Sequence, residues 1–182
     1  MREMTEQNMI NAFGGESQAF MRYTHFADLA DSEGYPNVSR LFRAIAHAET
    51  IHARSHYETL KYLNGGFVAN SAATFGPGET KKNLELAIMG EEFEINEMYP
   101  VFIEVAKFQN ENDAQLSFER AFGTEKMHKK LFDKAKEAVN NNSDPKLDAI
   151  QVCSVCGYTL EGDAPDTCPL CNATKEKFET FV

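Results

Sequence analysis

Tryptophan is absent from the 182 residues and positive charge is in deficit, with 18 Lys and Arg against 28 Asp and Glu and a formal charge of −10. Nucleic acid and anionic membranes are both bound through basic patches, so a chain this acidic is a poor partner for either. No segment approaches the ~18 continuous apolar residues that a membrane-crossing helix needs. The opening Met1-Arg2-Glu3-Met4-Thr5-Glu6-Gln7-Asn8 has no apolar run of signal-peptide length, and a cytoplasmic location is expected. Cysteine is scarce as well. The four cysteines fall into two close pairs, a spacing used for metal rather than for extracellular disulfides.

What the chain does have is helical periodicity interrupted by acids. Met9, Phe13, Phe20, Tyr23 and Ala27 recur at helical steps, and Glu16 falls inside that stripe. Phe42, Ile45, Ala53 and Leu60 flank Glu49-Thr50-Ile51-His52, while Phe118, Ala121, Phe122 and Phe132 flank Glu125-Lys126-Met127-His128. Between them, Ala87, Val101, Phe102, Val105 and Phe108 predict a stripe that contains Glu94 and Glu97. A carboxylate and an imidazole three residues apart on a helix leave the same face and can close on one metal ion. Two Glu-x-x-His helices plus a lone Glu from each of two others is the pattern of a carboxylate-bridged dimetal four-helix bundle. Glutamates in four apolar stripes would be costly to bury without cations.

In chain order, a first helix is predicted from about Thr5 to Asp31, stopped at Gly34, and a second from Pro36 to Leu63. The Gly-, Ala-, Ser- and Pro-rich stretch from Gly65 to about Glu79 reads as a loop that could reach roughly 50 Å. That length permits a crossover within one chain or an exchange of helix pairs between two chains. Thr80 is the expected cap of a third helix running to about Gln109 and bent at Pro100, and Asp113 that of a fourth ending near Val139. The polar run Asn140 to Pro145 marks a boundary between a bundle at 1–142 and a small domain at 148–182.

In the tail, Cys153-Ser154-Val155-Cys156-Gly157 and Cys168-Pro169-Leu170-Cys171-Asn172 form two knuckles. Together they can present four thiolates tetrahedrally to one zinc or iron. A tail whose apolar set is Val152, Tyr158, Leu160, Phe178 and Phe181 cannot hold itself together unaided. A metal must staple it. Tyr23 and Tyr99 lie within about two turns of candidate ligands and are placed to hydrogen-bond them. His56 is one turn beyond His52 and reads as a supporting or core histidine, and His25 and His47 as structural or exposed.

Glu16, Glu49-x-x-His52, Glu94-x-x-Glu97-Met98-Tyr99-Pro100 and Glu125-x-x-His128, followed by C-x-x-C-G-Y and C-P-x-C, together resemble the rubrerythrin family. The resemblance covers nearly the whole chain, departing at Asn172, where the second knuckle usually has Gly. It implies a mainly α fold, a ferritin-like di-iron four-helix bundle fused to a rubredoxin-like domain with one iron on Cys153, Cys156, Cys168 and Cys171. By that resemblance Glu49 and Glu125 bridge the irons, Glu16 and Glu94 are terminal ligands, and His128 stays on one iron. Glu97 and His52 then compete for the other iron, and with Tyr23 and Tyr99 they are the expected catalytic residues. The implied activity is a peroxidase reducing hydrogen peroxide to water against oxidative stress. Its electrons would come from rubredoxin or an NAD(P)H-dependent reductase by way of the tail. A homodimer is expected, with one chain's tail against the other's di-iron site. Two rivals are an iron-storing ferroxidase and a metal-stabilised binding module with a zinc ribbon.

Overall fold

The structure, a computed structural model, describes residues 1–75 and 78–182. Long helices form where the apolar periodicity is long: α1 spans Glu3–Ser32, α2 Pro36–Thr59 and α5 Asn112–Asn140. Between α2 and α5 the chain is helical from Thr80 to Gln109 but changes pitch midway. α3 (Thr80–Phe93) passes into one π-helical turn (Glu94–Met98) and then into α4 (Tyr99–Gln109). Within that turn the Tyr99 N–H reaches back five residues to the Glu94 carbonyl. Pro100, which has no N–H to donate, lies at the start of α4.

The π turn corrects the predicted stripe. One extra residue rotates everything after it, so the buried face runs Leu84, Ala87, Glu91 and then Tyr99, Ile103 and Ala106. Val101 and Phe108, expected inside, are 55% and 83% exposed. The expected caps also differ. α3 begins at Thr80 with its backbone N–H donating to the Glu33 carboxylate, and α5 begins at Asn112 with no side-chain cap from Asp113.

α1 packs against α2, and α5 packs against α2, α3 and α4, so one chain closes its own four-helix bundle. The segment after α2 runs back along α1 in irregular conformation. Gln7 Nε2 donates to the Val68 carbonyl, Asn70 N–H to Asn11 Oδ1, and Gln18 Nε2 to Ser71 Oγ. It delivers the chain to α3 beside the far end of α1. The described part of the loop is therefore a crossover along the bundle.

Two apolar clusters fill the bundle. Tyr23, Phe26, Phe42 and Phe132 anchor one, and Met9, Leu60, Tyr99, Ile103 and Phe118 the other. The buried acids and imidazoles lie between them.

Past α5 the linker is fixed rather than free. The Asp144 carboxylate accepts from the Asn37 N–H, the Asn37 amide and the Val38 N–H, capping the start of α2 where the helix dipole favours an anion. Arg40 then holds the Leu147 carbonyl. This turns the chain back along α2 into a three-stranded antiparallel sheet of β1 (Ile150–Cys153), β2 (Thr159–Glu161) and β3 (Phe178–Phe181), in the order β2-β1-β3.

Candidate metal centre

Six buried side chains from four helices meet between the two apolar clusters. α1 contributes Glu16, α2 Glu49 and His52, α3 Glu91, and α5 Glu125 and His128. Their ligand atoms form two groups, Glu16/Glu49/His52/Glu125 and Glu49/Glu91/Glu125/His128, each with all its atoms within 4.8 Å of one another. Glu49 and Glu125 belong to both. Carboxylates shared by two adjacent clusters are what a bridged pair of cations requires.

Both imidazoles turn the same nitrogen inward. His52 Nδ1 lies 2.9 Å from Glu49 and 3.1 Å from Glu125, and His128 Nδ1 lies 2.8 Å from Glu125 and 3.2 Å from Glu49. The outward nitrogens face the tail. Thr159 Oγ1 donates to the Gly157 carbonyl and so accepts from His128 Nε2 at 3.2 Å. That keeps the ring proton on Nε2 and leaves Nδ1 free to ligate. Each tyrosine serves the opposite half of the bundle. Tyr23, on α1, donates to Glu91 on α3 at 2.7 Å, and Tyr99, on α4, donates to Glu16 on α1.

The polar atoms here fit metal ions better than they fit each other. Glu16 Oε2, Glu49 Oε1, Glu91 Oε2, both Glu125 oxygens and His128 Nδ1 are buried without an aligned hydrogen bond, even where an imidazole nitrogen and a carboxylate oxygen lie close together. Four carboxylates at 0–1% exposure carry a charge that two divalent cations would cancel, and no interior holds it unpaired.

The protonation equilibria carry the same signature. Burial and the neighbouring Glu49 and Glu125 drive the Glu16 pKa well above the usual carboxylate range. Burial lifts Glu91 to about 8. Although burial disfavours their cations, the facing carboxylates hold both imidazoles above their ordinary 6.5. Glu125, between the two rings, is held low despite its burial.

A metal-free pocket therefore retains protons that a metal must displace. The sign follows directly: the Glu91 contribution to folding is full below its ordinary 4.5 and is lost as pH rises through about 8. Metal affinity should climb over that window. Calorimetric titration of metal into the chain at neutral pH, in buffers of different ionisation enthalpy, should report release of at least about one proton per chain.

Glu94 and Glu97 are placed differently from the expectation. Glu94 is half-buried in the π turn, outside both groups, its pKa raised by burial and by Glu16, Glu125 and Glu91. It stands in the wall of a cleft of about 210 Å³ that Gly15, Arg22, Gly90, Met98 and Phe102 also line. Glu97 is exposed, because the π turn carries it past the inner face. The residue that sequence reasoning missed is Glu91. Its signal was the spacing Leu84, Ala87, Glu91, which keeps step with the helix before the π turn.

In the tail, all four sulfurs lie within 4.8 Å of one another, with Cys153–Cys171 and Cys156–Cys168 both at 3.7 Å. A metal about 2.3 Å from each sulfur in a tetrahedron requires sulfur separations of about 3.8 Å. The Cys156 thiol and the Val155 and Cys156 amides bring Cys153 down to about 5, toward a thiolate. Gly157 and Asn172 close the two knuckles at φ of +80° and +61°.

Within the single chain, the tail lies over the chain's own site. Gly157 and Gly123 make the contact possible. A Cβ on Gly157 would stand 2.4 Å from His52 Nε2, and one on Gly123 2.7 Å from Leu170 Cδ1. The anchored linker supplies the reason, since Asp144 and Arg40 direct the tail along α2 toward His52.

Comparison with known proteins agrees with this geometry. The rubrerythrin family model matches residues 7–136, and the model for the rubredoxin-like domain of rubrerythrin matches 151–179. The chain belongs to the rubrerythrin family. It is 40% identical to rubrerythrin-2 of Clostridium acetobutylicum over 178 residues, 98% of this chain and 97% of the relative. It is 35% identical to rubrerythrin of Nitratidesulfovibrio vulgaris over 181 residues, covering 96% and 93%. The solved structure of fully reduced, all-ferrous nigerythrin superposes with a TM-score of 0.86 at 31% identity, covering 97% of this chain and 86% of that one. As a rubrerythrin-family protein the chain has a ferritin-like fold, a carboxylate-bridged di-iron site and a four-cysteine rubredoxin-like iron site. No described helix is long and apolar enough to cross a membrane.

Proposed function

We propose that this chain is a non-haem di-iron peroxidase that reduces hydrogen peroxide to water, with electrons delivered through its rubredoxin-like iron. The observation that carries the reading is the pair of buried ligand groups sharing Glu49 and Glu125, with Glu94 between them and a small surface cleft on one side and the tail over His52 on another. Two ferrous ions held by these residues would supply one electron each, the two electrons that reduction of an O–O bond requires.

The chain's own residues do the rest. Glu49 and Glu125 fix the spacing of the two positions, while Glu16 and His52 complete one and Glu91 and His128 the other. Tyr23 and Tyr99 hold one terminal carboxylate each, and burial keeps both phenols protonated. The role that the resemblance gives to Glu97, an extra carboxylate competing with His52, passes to Glu94. A hard anionic oxygen suits the ferric ion, and neutral imidazole is adequate for the ferrous one.

Substitution separates these two glutamates. Glu94→Gln should lower peroxide turnover by at least about tenfold if the carboxylate ligates the oxidised site. Glu97→Gln should leave turnover within about twofold, as for an exposed side chain with no ligand role. Equal loss in both variants would contradict the reassignment.

Contact of Cys156 and Gly157 with Thr124 and His52 supports electron transfer from tail to bundle within one chain. The donor to the tail is rubredoxin or an NAD(P)H-dependent reductase. The outward residues Met89, Phe93, Val101 and Phe108 support a homodimer joined along α3 and α4, without exchange of helices. The place of action is the cytoplasm, in defence against oxidative stress. Stopped-flow mixing of the fully reduced protein with peroxide tests the whole reading. Rapid oxidation of the bundle followed by the tail supports it, whereas slow reaction with deposition of ferric oxide points to storage.

A further inference from the structure

His56 is fully buried beside the site, yet it is no candidate ligand and the proposed chemistry leaves it without a task. Its two ring nitrogens belong to an unbroken line of hydrogen bonds. Half-buried Ser55 Oγ meets Ser117 Oγ at 2.8 Å, Ser117 Oγ meets His56 Nδ1 at 2.8 Å, and His56 Nε2 meets the Tyr99 hydroxyl at 3.1 Å. The Tyr99 hydroxyl ends the line at Glu16. Ser55 and Ser117 open into a surface groove lined also by Glu58, Lys61, Asp113 and Arg120.

The polarity of this line follows from proton counting. Tyr99 has one hydroxyl proton and gives it to Glu16, so it must accept from His56 Nε2–H. The imidazole gives its Nε2–H to Tyr99, so in the neutral ring the other nitrogen, Nδ1, is the acceptor. Ser117 must then donate to Nδ1 and accept from Ser55. Every hydrogen bond points from the groove to the site.

The opposite half of the bundle offers a contrast. Tyr23 holds Glu91 as Tyr99 holds Glu16, but Phe26, Phe42 and Phe132 pack around its ring. Among the described residues its hydroxyl has no further hydrogen-bond partner. An aromatic residue at position 56 would have made the two halves alike, so packing alone does not require the imidazole.

We propose that Ser55, Ser117, His56 and Tyr99 form a proton relay that carries protons from the groove to Glu16 at the di-iron site. The proposal deepens the peroxidase reading and rests on it for its purpose, since reducing one peroxide to two waters consumes two protons with the two electrons the donor supplies. In one transit Glu16 takes the Tyr99 proton, Tyr99 takes the Nε2 proton, and Nδ1 takes the Ser117 proton. Ser117 is restored by Ser55, and Ser55 by groove water. His56 is neutral before and after, with its proton moved to the other nitrogen. The starting order returns when the hydroxyls rotate and the ring exchanges its tautomer outside this line, since exchange along it would carry the proton back. His56 and Ser117 act through Tyr99, as positioning residues rather than as groups touching the reacting atoms.

The test uses the full chain with zinc in both sites, where no turnover occurs, and reads by NMR the exchange of the Tyr99 hydroxyl proton with water. Ser117→Ala and His56→Phe should each slow that exchange at least about tenfold. In the iron-loaded protein the same substitutions should enlarge the solvent deuterium isotope effect on oxidation by peroxide. Ser117→Ala removes only a hydroxyl group, and it decides the matter should His56→Phe fail to fold. Unchanged exchange in folded Ser117→Ala overturns the relay, whatever the turnover. Relayed exchange in a chain inert to peroxide would instead sink the peroxidase reading and leave the relay standing.

Discussion

Replacing Glu125 with alanine is expected to abolish paired metal binding. Glu125 is fully buried, lies between the two imidazoles and belongs to both ligand groups, so one substitution takes an oxygen from each position. Loss of a partner that only orients a ligand costs about 10- to 100-fold in metal affinity, and loss of a shared ligand should exceed about 100-fold. Iron stoichiometry under chelator competition, read with the visible bands of the di-iron pair, would show it. Two irons retained at unaltered affinity would mean that Glu125 does not bridge. Glu125→Gln, which preserves volume but loses the charge, should fall between alanine and the native residue. It thereby separates electrostatics from the cavity.

The second large effect concerns the tail. Cys168 is a fully buried member of the four-sulfur cluster, and the cluster's apolar surroundings, Tyr158, Leu170, Ala173 and Phe178, are too few to form a core. Metal binding by such a domain contributes on the order of 10–16 kcal/mol of apparent folding free energy. Cys168→Ala should therefore unfold the tail and remove the visible colour of a thiolate-bound iron, while far-ultraviolet dichroism still reports the helices of the bundle. Limited proteolysis should cut beyond Asn140. The loss should reach the other site too, because an unfolded tail no longer holds Thr159 against His128 or Gly157 against His52. Survival of both the colour and the protease resistance would contradict the account.

Most of the bundle was legible in the sequence because amphipathic periodicity and the buried stripe are one physical fact. Glu16, Glu49, His52, Glu125 and His128 could be picked out as ionisable residues in step with apolar neighbours, and the two cysteine knuckles by spacing alone. The third helix defeated the same reasoning at one place. Periodicity arguments assume 3.6 residues per turn, and a single π turn between Glu91 and Tyr99 breaks that assumption, sending Glu97, Val101 and Phe108 outward.

An internal echo could have exposed the slip. Glu16 and Tyr23 are seven apart on α1, whereas Glu91 and Tyr99 are eight apart across α3 and α4. The additional residue is the π turn. The Asp144 cap and the docking of the tail were not legible, because both depend on contacts between residues about a hundred positions apart that carry no local pattern.

The central claim is that two metal ions lie side by side between Glu49 and Glu125, each with one imidazole. Anomalous diffraction at the iron edge from crystals of the iron-loaded protein addresses it directly. The account predicts two peaks between the four helices, His52 Nδ1 on one and His128 Nδ1 on the other, with Glu91 ligating and Glu97 in solvent. A single peak, or two peaks with Glu97 in place of Glu91, would contradict it.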